Sequence, residues 1–288
     1  MSGEQTPFRL PRSLLYVPGN APDKLAKALA RGADALIVDL EDAVPVSQKE
    51  QARDAVRAWV DSLEMPAAQI WVRVNSGALR EPDVRAFAGC PALSGLVLAK
   101  AADAAEISQV AAWLDEAGDE GLRLIPLLET PGAIQDVEAI AAAPRVHRLQ
   151  VGEVDLAAEL GMTPGPDDLE LLAIRTRIVV ASAAAGLHPP IGPVSREIRD
   201  PEKLAESSRR LARLGYLGRT CIHPNQIASV HEVFTPTEDD VADALEVVRL
   251  MSEAADGDTG VAVDAHGRLL DEAVLRHARR VLAMRERR

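Results

Sequence analysis

The stretch ALIVDLEDAV (Ala35–Val44) begins as an apolar run and then carries three carboxylates in four positions, Asp39, Glu41 and Asp42. Other apolar runs end in the same way. IWVRVN carries Arg73 and ends at Asn75, GLVLAK ends at Lys100, and RLIPLLE ends at Glu129. VHRLQVG leads into GEVD, with Glu153 and Asp155, and YLGRTCIHP leads into His223 and Gln226. Taken singly, each has a bland explanation. Lys100 can open a solvated loop, and Asp39 or Asp42 can cap a helix, although Ser47 is the better cap for SQKEQARDAV. Taken together, acids converging with one arginine predict a site.

The chemistry of that set is specific. Glu129 and Asp155 are hard oxygen donors, and two carboxylates with positions left for water and substrate suit Mg²⁺. No HxH or HxxxH pair occurs, which disfavours a zinc–histidine centre. A bound Mg²⁺ polarises a carbonyl. Arg73 can grip a carboxylate with two N–H donors. The pocket therefore suits a 2-oxo acid, with its carbonyl and one carboxylate oxygen on the metal and its far carboxylate on Arg73. Lys100 as a Schiff-base lysine is the rival chemistry, but it needs neither metal nor acids. The acids favour the metal route.

The elements that must position these residues repeat one rhythm. Ser13–Pro18, Ala35–Leu40, Ile70–Asn75, Gly95–Lys100, Arg123–Glu129, Val146–Gly152, a weak Pro189–Val194 and Tyr216–Pro224 are apolar runs, and helical stretches such as PEKLAESSRRLARLG separate them. Runs that are apolar throughout read as parallel strands covered on both faces. About eight alternations predict an α/β fold, a TIM (β/α)8 barrel with its site at the carboxyl ends of the strands. An open doubly wound sheet is the alternative, disfavoured in its dinucleotide form because no GxGxxG follows a strand. Residues 1–234 are read as the catalytic barrel. Residues 235–288 are read as a helical extension that closes a site or packs on a neighbouring subunit. Within it, Thr235 or Thr237 caps a helix, and 255–267 forms a loop or short hairpin.

Composition narrows the class. The chain has 288 residues, 47% of them hydrophobic, enough for a large core, but only 3% aromatic. A net charge of −12 argues against a nucleic-acid partner, which needs a basic footprint. Cys90 and Cys221 are far apart in sequence and read as small buried residues. No run approaches the ~20 apolar residues of a membrane span, and the first residues lack the basic-then-apolar order of a signal peptide. A cytoplasmic protein is expected.

RSLLYVPGN, ADALIVDLEDAV, QKEQARDAV, VRVN, LLETPGAI, GEVDLAAELG and GRTCIHPNQI, in this order from Arg12 to about Val233, resemble the motifs of the citrate lyase β-subunit family. This is the CitE-like group of the HpcH/HpaI aldolase and malyl-CoA lyase superfamily. The resemblance implies a Mg²⁺-dependent carbon–carbon lyase on a TIM barrel, cleaving or forming 3-hydroxyacyl-CoA esters such as citryl-CoA or malyl-CoA. Its matching metal ligands are Glu129 and Asp155, and its carboxylate-binding arginine is Arg73. Backbone amides around Gly152, Glu153 and Val154 would contact the oxo acid. Asp271 matches an aspartate that reaches a neighbouring subunit's site in relatives, and is the candidate base of a homotrimer or hexamer. Asp39, Glu41 and Asp42 then support the metal waters and Arg73. Arg12, Lys24, Lys27 and Lys100 are candidates for coenzyme A by position alone. The chain departs from the family in reading Ala99 before Lys100 and GEVD in place of a loop with a small second residue, so Glu153 is an extra carboxylate there. Two further readings are a pyruvate aldolase without CoA, with His223 in acid–base work, and a lyase subunit that needs an acyl-carrier partner.

Overall fold

Seven apolar runs form parallel strands: β1 (Ser13–Pro18), β2 (Ala35–Asp39), β3 (Gln69–Val74), β4 (Leu93–Leu98), β5 (Arg123–Leu128), β6 (Gln150–Val151) and β7 (Arg219–Cys221). They make one sheet in the order β6-β5-β4-β3-β2-β1-β7. Helices separate them, among them Lys49–Asp61, Ala104–Glu116, Leu172–Ala184 and Pro201–Leu214. The helix Lys49–Asp61 buries Ala52, Val56 and Val60, a spacing of four that lays one stripe on the sheet. β2 is buried at every position, as expected of a parallel strand covered on both faces. The computed structural model describes residues 10–257 and 259–285. They divide into two units between Glu232 and Val233. The amino-terminal residues read above for a leader lie mostly outside the described residues.

One face of the sheet is plugged by a single cluster of Leu14, Ala35, Ile37, Trp71, Val97, Ile125, Leu127 and Ile191, with Tyr16 packed on it. Side chains alternate along a strand. The next positions on that same face after Ile37, Trp71 and Leu127 are therefore Asp39, Arg73 and Glu129. The plug ends where the polar residues begin. Trp71 is almost wholly buried, worth about 1.5–3 kcal/mol or more of apolar burial. Its indole fits because residue 95 is glycine: a Cβ there would lie 2.5 Å from the Trp71 ring and 2.1 Å from the Arg123 carbonyl oxygen.

The sheet is strongly curled. Gln150 on β6 donates to the Tyr16 hydroxyl on β1 at 2.9 Å, although four strands lie between them in the sheet order. Among the described residues seven strands form this sheet, and the eighth expected run falls short of a regular strand. Residues 191–192 form only single parallel bridges, Ile191 to Gln150 and Gly192 to Arg219. The cause is in PPIGPV: Pro189, Pro190 and Pro193 have no N–H to donate, so no ladder can extend there. Ser47 is also corrected. It lies within a 3-10 turn (Val46–Gln48), and the helix after it begins without a side-chain cap.

The second unit pairs the helices Glu238–Asp256 and Glu272–Arg285. Ala244, Ala278 and Val281 form one buried cluster within it, and Met251, Leu270 and Leu275 another. Of the two threonines weighed as cap, Thr237 is the one, in a reciprocal box with Asp240. Toward the end of the Gly- and Asp-rich stretch and just past it, β8 (Ala262–Val263) and β9 (Leu269–Leu270) pair as a short hairpin. Among the described residues no helix is long and apolar enough to cross a membrane.

Candidate active site

A cavity of about 520 Å³ opens at the carboxyl ends of the strands. Asp39, Asp42, Arg73, Glu129, Gly152 and Asp155 line it, together with Tyr16, Gln150, Val154, Val194, Arg196 and Ile222. β2, β3, β5 and the turn after β6 thus deliver side chains from four places in the chain to one space.

Asp39 is the hinge of the acidic stretch. Its two oxygens accept from the amides of Glu41 (2.9 Å) and Ala43 (3.0 Å), folding the turn after β2 over its own strand end. The same oxygens accept from Arg73 Nε and Nη2, each at 2.7 Å. The third nitrogen, Nη1, faces Glu41 (3.2 Å) and Asp42 (3.4 Å), and the guanidinium carbon lies 5.0 Å from the centre of the Tyr16 ring. Burial opposes the charge on Arg73, but Asp39 and its neighbours hold it firmly protonated. Burial and the nearby Glu41 push the Asp42 carboxyl up. Burial also pushes Glu41 up, yet the Lys100 ammonium, Asp42 and Arg73 bring it below its ordinary value.

Lys49 secures this turn from below. Its ammonium donates to the Leu40 and Glu41 carbonyls at 2.9 and 2.8 Å and to Asn75 Oδ1 at 2.6 Å. Asp83 in turn accepts from the Asn75 amide and side chain. Buried Arg80 joins the ends of β3 and β4 by donating to the Asn75 and Ala99 carbonyls. These residues lie in the helices after β2 and β3. The only signal for them in the sequence is a polar residue on a helix face that should be apolar.

Glu129 is 2% exposed. Its Oε1 accepts from the Lys100 amide at 2.6 Å. Lys100 can present that amide because it takes φ 49°, a left-handed conformation that costs a residue with a side chain roughly 1–3 kcal/mol. Burial pushes the Glu129 carboxyl up to about 7, against the Lys100 amide and Arg73, which pull it down. A buried carboxylate of this kind calls for a cation. Gly152 is required beside it: a Cβ there would lie 2.7 Å from the Glu129 Cβ and 2.8 Å from its Oε2. Asp155, in the first turn of the helix Glu153–Glu159, is exposed and lines the same cavity. Among the described residues no three His, Cys, Asp or Glu side chains cluster closely enough to cage an ion. Two carboxylates without histidine or thiolate fit Mg²⁺, which keeps waters and substrate oxygens in its shell.

Other expected residues fall elsewhere. Glu153 is corrected from an extra carboxylate of the cavity: it turns away to a two-point ion pair with buried Arg175, at 2.6 and 2.7 Å. Arg12 is corrected as well. It pairs with Asp34 at 2.8 and 2.9 Å at the amino end of β1 and lines neither the cavity nor the groove that adjoins it. The Lys100 ammonium binds Glu41 at 2.8 Å and does not line the neighbouring groove. Asp271 belongs to the second unit, where its carboxylate caps the helix Glu272–Arg285 by accepting from the Ala273 and Val274 amides. His223 caps a single turn, its Nδ1 accepting from the Asn225 amide.

That groove, of about 490 Å³, adjoins the cavity at Tyr16, Pro18 and Ile222. Lys24, Lys27, Arg31 and His223 line it. Arg31 escaped the sequence reading because it sits in a 3-10 turn beyond the helix that carries the two lysines.

Residues 12–224 match the HpcH/HpaI aldolase/citrate lyase family. A citrate lyase subunit beta-like protein of Deinococcus radiodurans is 34% identical, the alignment covering 96% of this chain and 98% of that one. The mitochondrial citramalyl-CoA lyase of Rattus norvegicus is 30% identical over 95% and 85%. A (3S)-malyl-CoA thioesterase of Cereibacter sphaeroides is 32% identical over 99% and 97%. Among solved structures, CitE from Mycobacterium tuberculosis in complex with magnesium, acetoacetate and coenzyme A superimposes with a TM-score of 0.77 at 31% identity, covering 96% of this chain and 98% of that one.

Proposed function

The chain belongs to the HpcH/HpaI aldolase/citrate lyase family, and on that footing we propose that it is a Mg²⁺-dependent carbon–carbon lyase of a 3-hydroxyacyl-CoA, yielding an acyl-CoA and a 2-oxo acid, or running the reverse condensation. The observation that carries this reading is one cavity holding Glu129, Asp155 and Arg73 beside a groove lined by Lys24, Lys27 and Arg31. The magnesium and coenzyme A complex of the tuberculosis CitE supports it. The same reading takes residues 191–192 as the eighth stave of a closed (β/α)8 barrel, supported by bridges on both sides. It takes 235–288 as the extension that carries Asp271 to a neighbouring copy in a cytoplasmic trimer or hexamer.

In this mechanism Glu129 and Asp155 hold the metal, which, when bound, supplies Lewis-acid polarisation of the oxo-acid carbonyl. The backbone amides of Gly152 to Val154 orient the acid half. Arg73, fixed by Asp39, Glu41 and Asp42, supplies positive charge on the same cavity wall. Lys24, Lys27 and Arg31 bind the coenzyme A phosphates. Asp271 of a neighbouring copy removes the 3-hydroxyl proton. The C–C bonding pair then passes to the thioester α-carbon as an enolate, and a proton returns to that carbon. In synthesis Asp271 takes the α-proton instead, and the enolate attacks the carbonyl.

The test is an assay of malyl-CoA, citramalyl-CoA and citryl-CoA with Mg²⁺, following oxo acid and free thiol separately. Oxo acid without thiol is the expected result, and Glu129→Ala or chelation removes it. The 32% identical thioesterase favours hydrolysis as the second reading, and thiol without oxo acid would establish that instead. Turnover of pyruvate aldols alone would make the protein a CoA-independent aldolase.

A further inference from the structure

Two cations line the cavity, Arg73 and Arg196. Their situations are opposite. Arg73 faces three carboxylates, with Nε and Nη2 held by Asp39 and Nη1 by Glu41 and Asp42. A substrate carboxylate arriving there meets a cation already outnumbered by acids. Three of the five N–H donors of Arg73 are already hydrogen-bonded to Asp39 and Asp42. Arg196 has no hydrogen bond or ion pair with any side chain among the described residues. Unpartnered arginines are common on protein surfaces, where water satisfies them. This one differs in its support. Buried Gln226 donates through Nε2 to the carbonyls of Ser195 (2.9 Å) and Glu197 (2.8 Å), the two residues that flank it. The Gln226 Oε1 accepts from the Ile222 and His223 amides. One side chain thus fastens the loop on both sides of Arg196 to the turn after β7 and leaves its guanidinium on the cavity wall.

We propose that Arg196 selects the acid half of the substrate: it pairs with a second carboxylate, so that 2-oxo dicarboxylic acids are taken in preference to 2-oxo monocarboxylic acids. The identity of the substrate rests on the lyase reading above; the anion site itself does not. A carboxylate is its partner rather than a coenzyme A phosphate, because the cations placed for phosphates line the adjoining groove and Arg196 lines the chamber of the acids.

The full-length protein with Mg²⁺ is titrated calorimetrically with oxaloacetate, with pyruvate and with coenzyme A, as wild type, Arg196→Gln and Arg196→Lys. Arg196 is exposed, so neither variant disturbs the core. The wild type should prefer oxaloacetate. Arg196→Gln should weaken oxaloacetate about tenfold or more and leave pyruvate and coenzyme A within about twofold, the loss expected for one charge-assisted pair. Arg196→Lys should fall between. Equal binding of the two acids by the wild type, an equal loss for both in Arg196→Gln, or a loss for coenzyme A alone would each overturn the assignment. Cleavage of the CoA esters is measured separately. A wild type that cleaves none of them, yet prefers oxaloacetate through Arg196, overturns the lyase reading and leaves this site standing. One that cleaves them with its preference unchanged in Arg196→Gln overturns the site alone.

Discussion

Asp39 and Arg73 are direct partners in the β2–β3 register, and their side chains repeat the pairing with two N–H···O bonds of 2.7 Å. The aspartate is 3% and the arginine 8% exposed. The pair joins two strand ends and, through the same carboxylate, the turn that carries Glu41 and Asp42.

Removing the carboxylate should therefore loosen strand and turn together. Asp39→Ala leaves a buried guanidinium with weaker partners and two amides without theirs, and should cost about 3 kcal/mol in urea unfolding. A loss below about 1 kcal/mol would mean that Glu41 and Asp42 suffice to hold Arg73.

Gly152→Ala tests the close approach on which Glu129 depends. The added Cβ lies under 3 Å from two Glu129 atoms, one of them its Cβ, which cannot swing away. The carboxylate must shift, so Mg²⁺ affinity should fall about tenfold or more in calorimetric titration. An unchanged dissociation constant would detach Glu129 from metal binding.

The Glu129 carboxyl ordinarily loses its proton near 4.5, and burial raises this to about 7. Between these values the unfolded chain is ionised there while the folded chain keeps its proton. The group's contribution to stability is therefore complete below 4.5 and is lost as pH rises through 7. In metal-free protein, Glu129→Gln should gain on the order of 3 kcal/mol relative to wild type at pH 8 and nothing at pH 4. Magnesium, which requires the carboxylate, should bind wild type more tightly as pH rises to 7. Unfolding in chelator at both pH values checks the first part; a gain of the same size at pH 4 would remove titration as its cause.

The neighbouring acids of GEVD should separate. Glu153→Ala leaves buried Arg175 with Asp168 alone, at 3.3 Å, and should cost about 2 kcal/mol, with magnesium affinity unchanged. Asp155→Asn should do the reverse, weakening magnesium while stability moves by less than about 0.5 kcal/mol. Unfolding and metal titration of both variants decide the matter, and the opposite pattern would exchange their roles.

Much of this was legible in the chain. Apolar runs marked the strands, and period-two alternation then placed Asp39, Arg73 and Glu129 on the face that Ile37, Trp71 and Leu127 plug. The shortness of the pairing at PPIGPV was written in its three prolines. Spacing along one strand determines which face a side chain occupies, and the carboxyl ends of parallel strands lie together, so a shared site could be inferred from strand ends alone. Partners could not. That Arg73 is held by Asp39, that Glu153 turns to Arg175 and that Arg12 pairs with Asp34 depend on distances between segments far apart in sequence. Lys49, Arg31 and Arg196 stayed hidden for the same reason: each is an ordinary basic residue until curling of the sheet and anchoring of its loop decide what stands beside it.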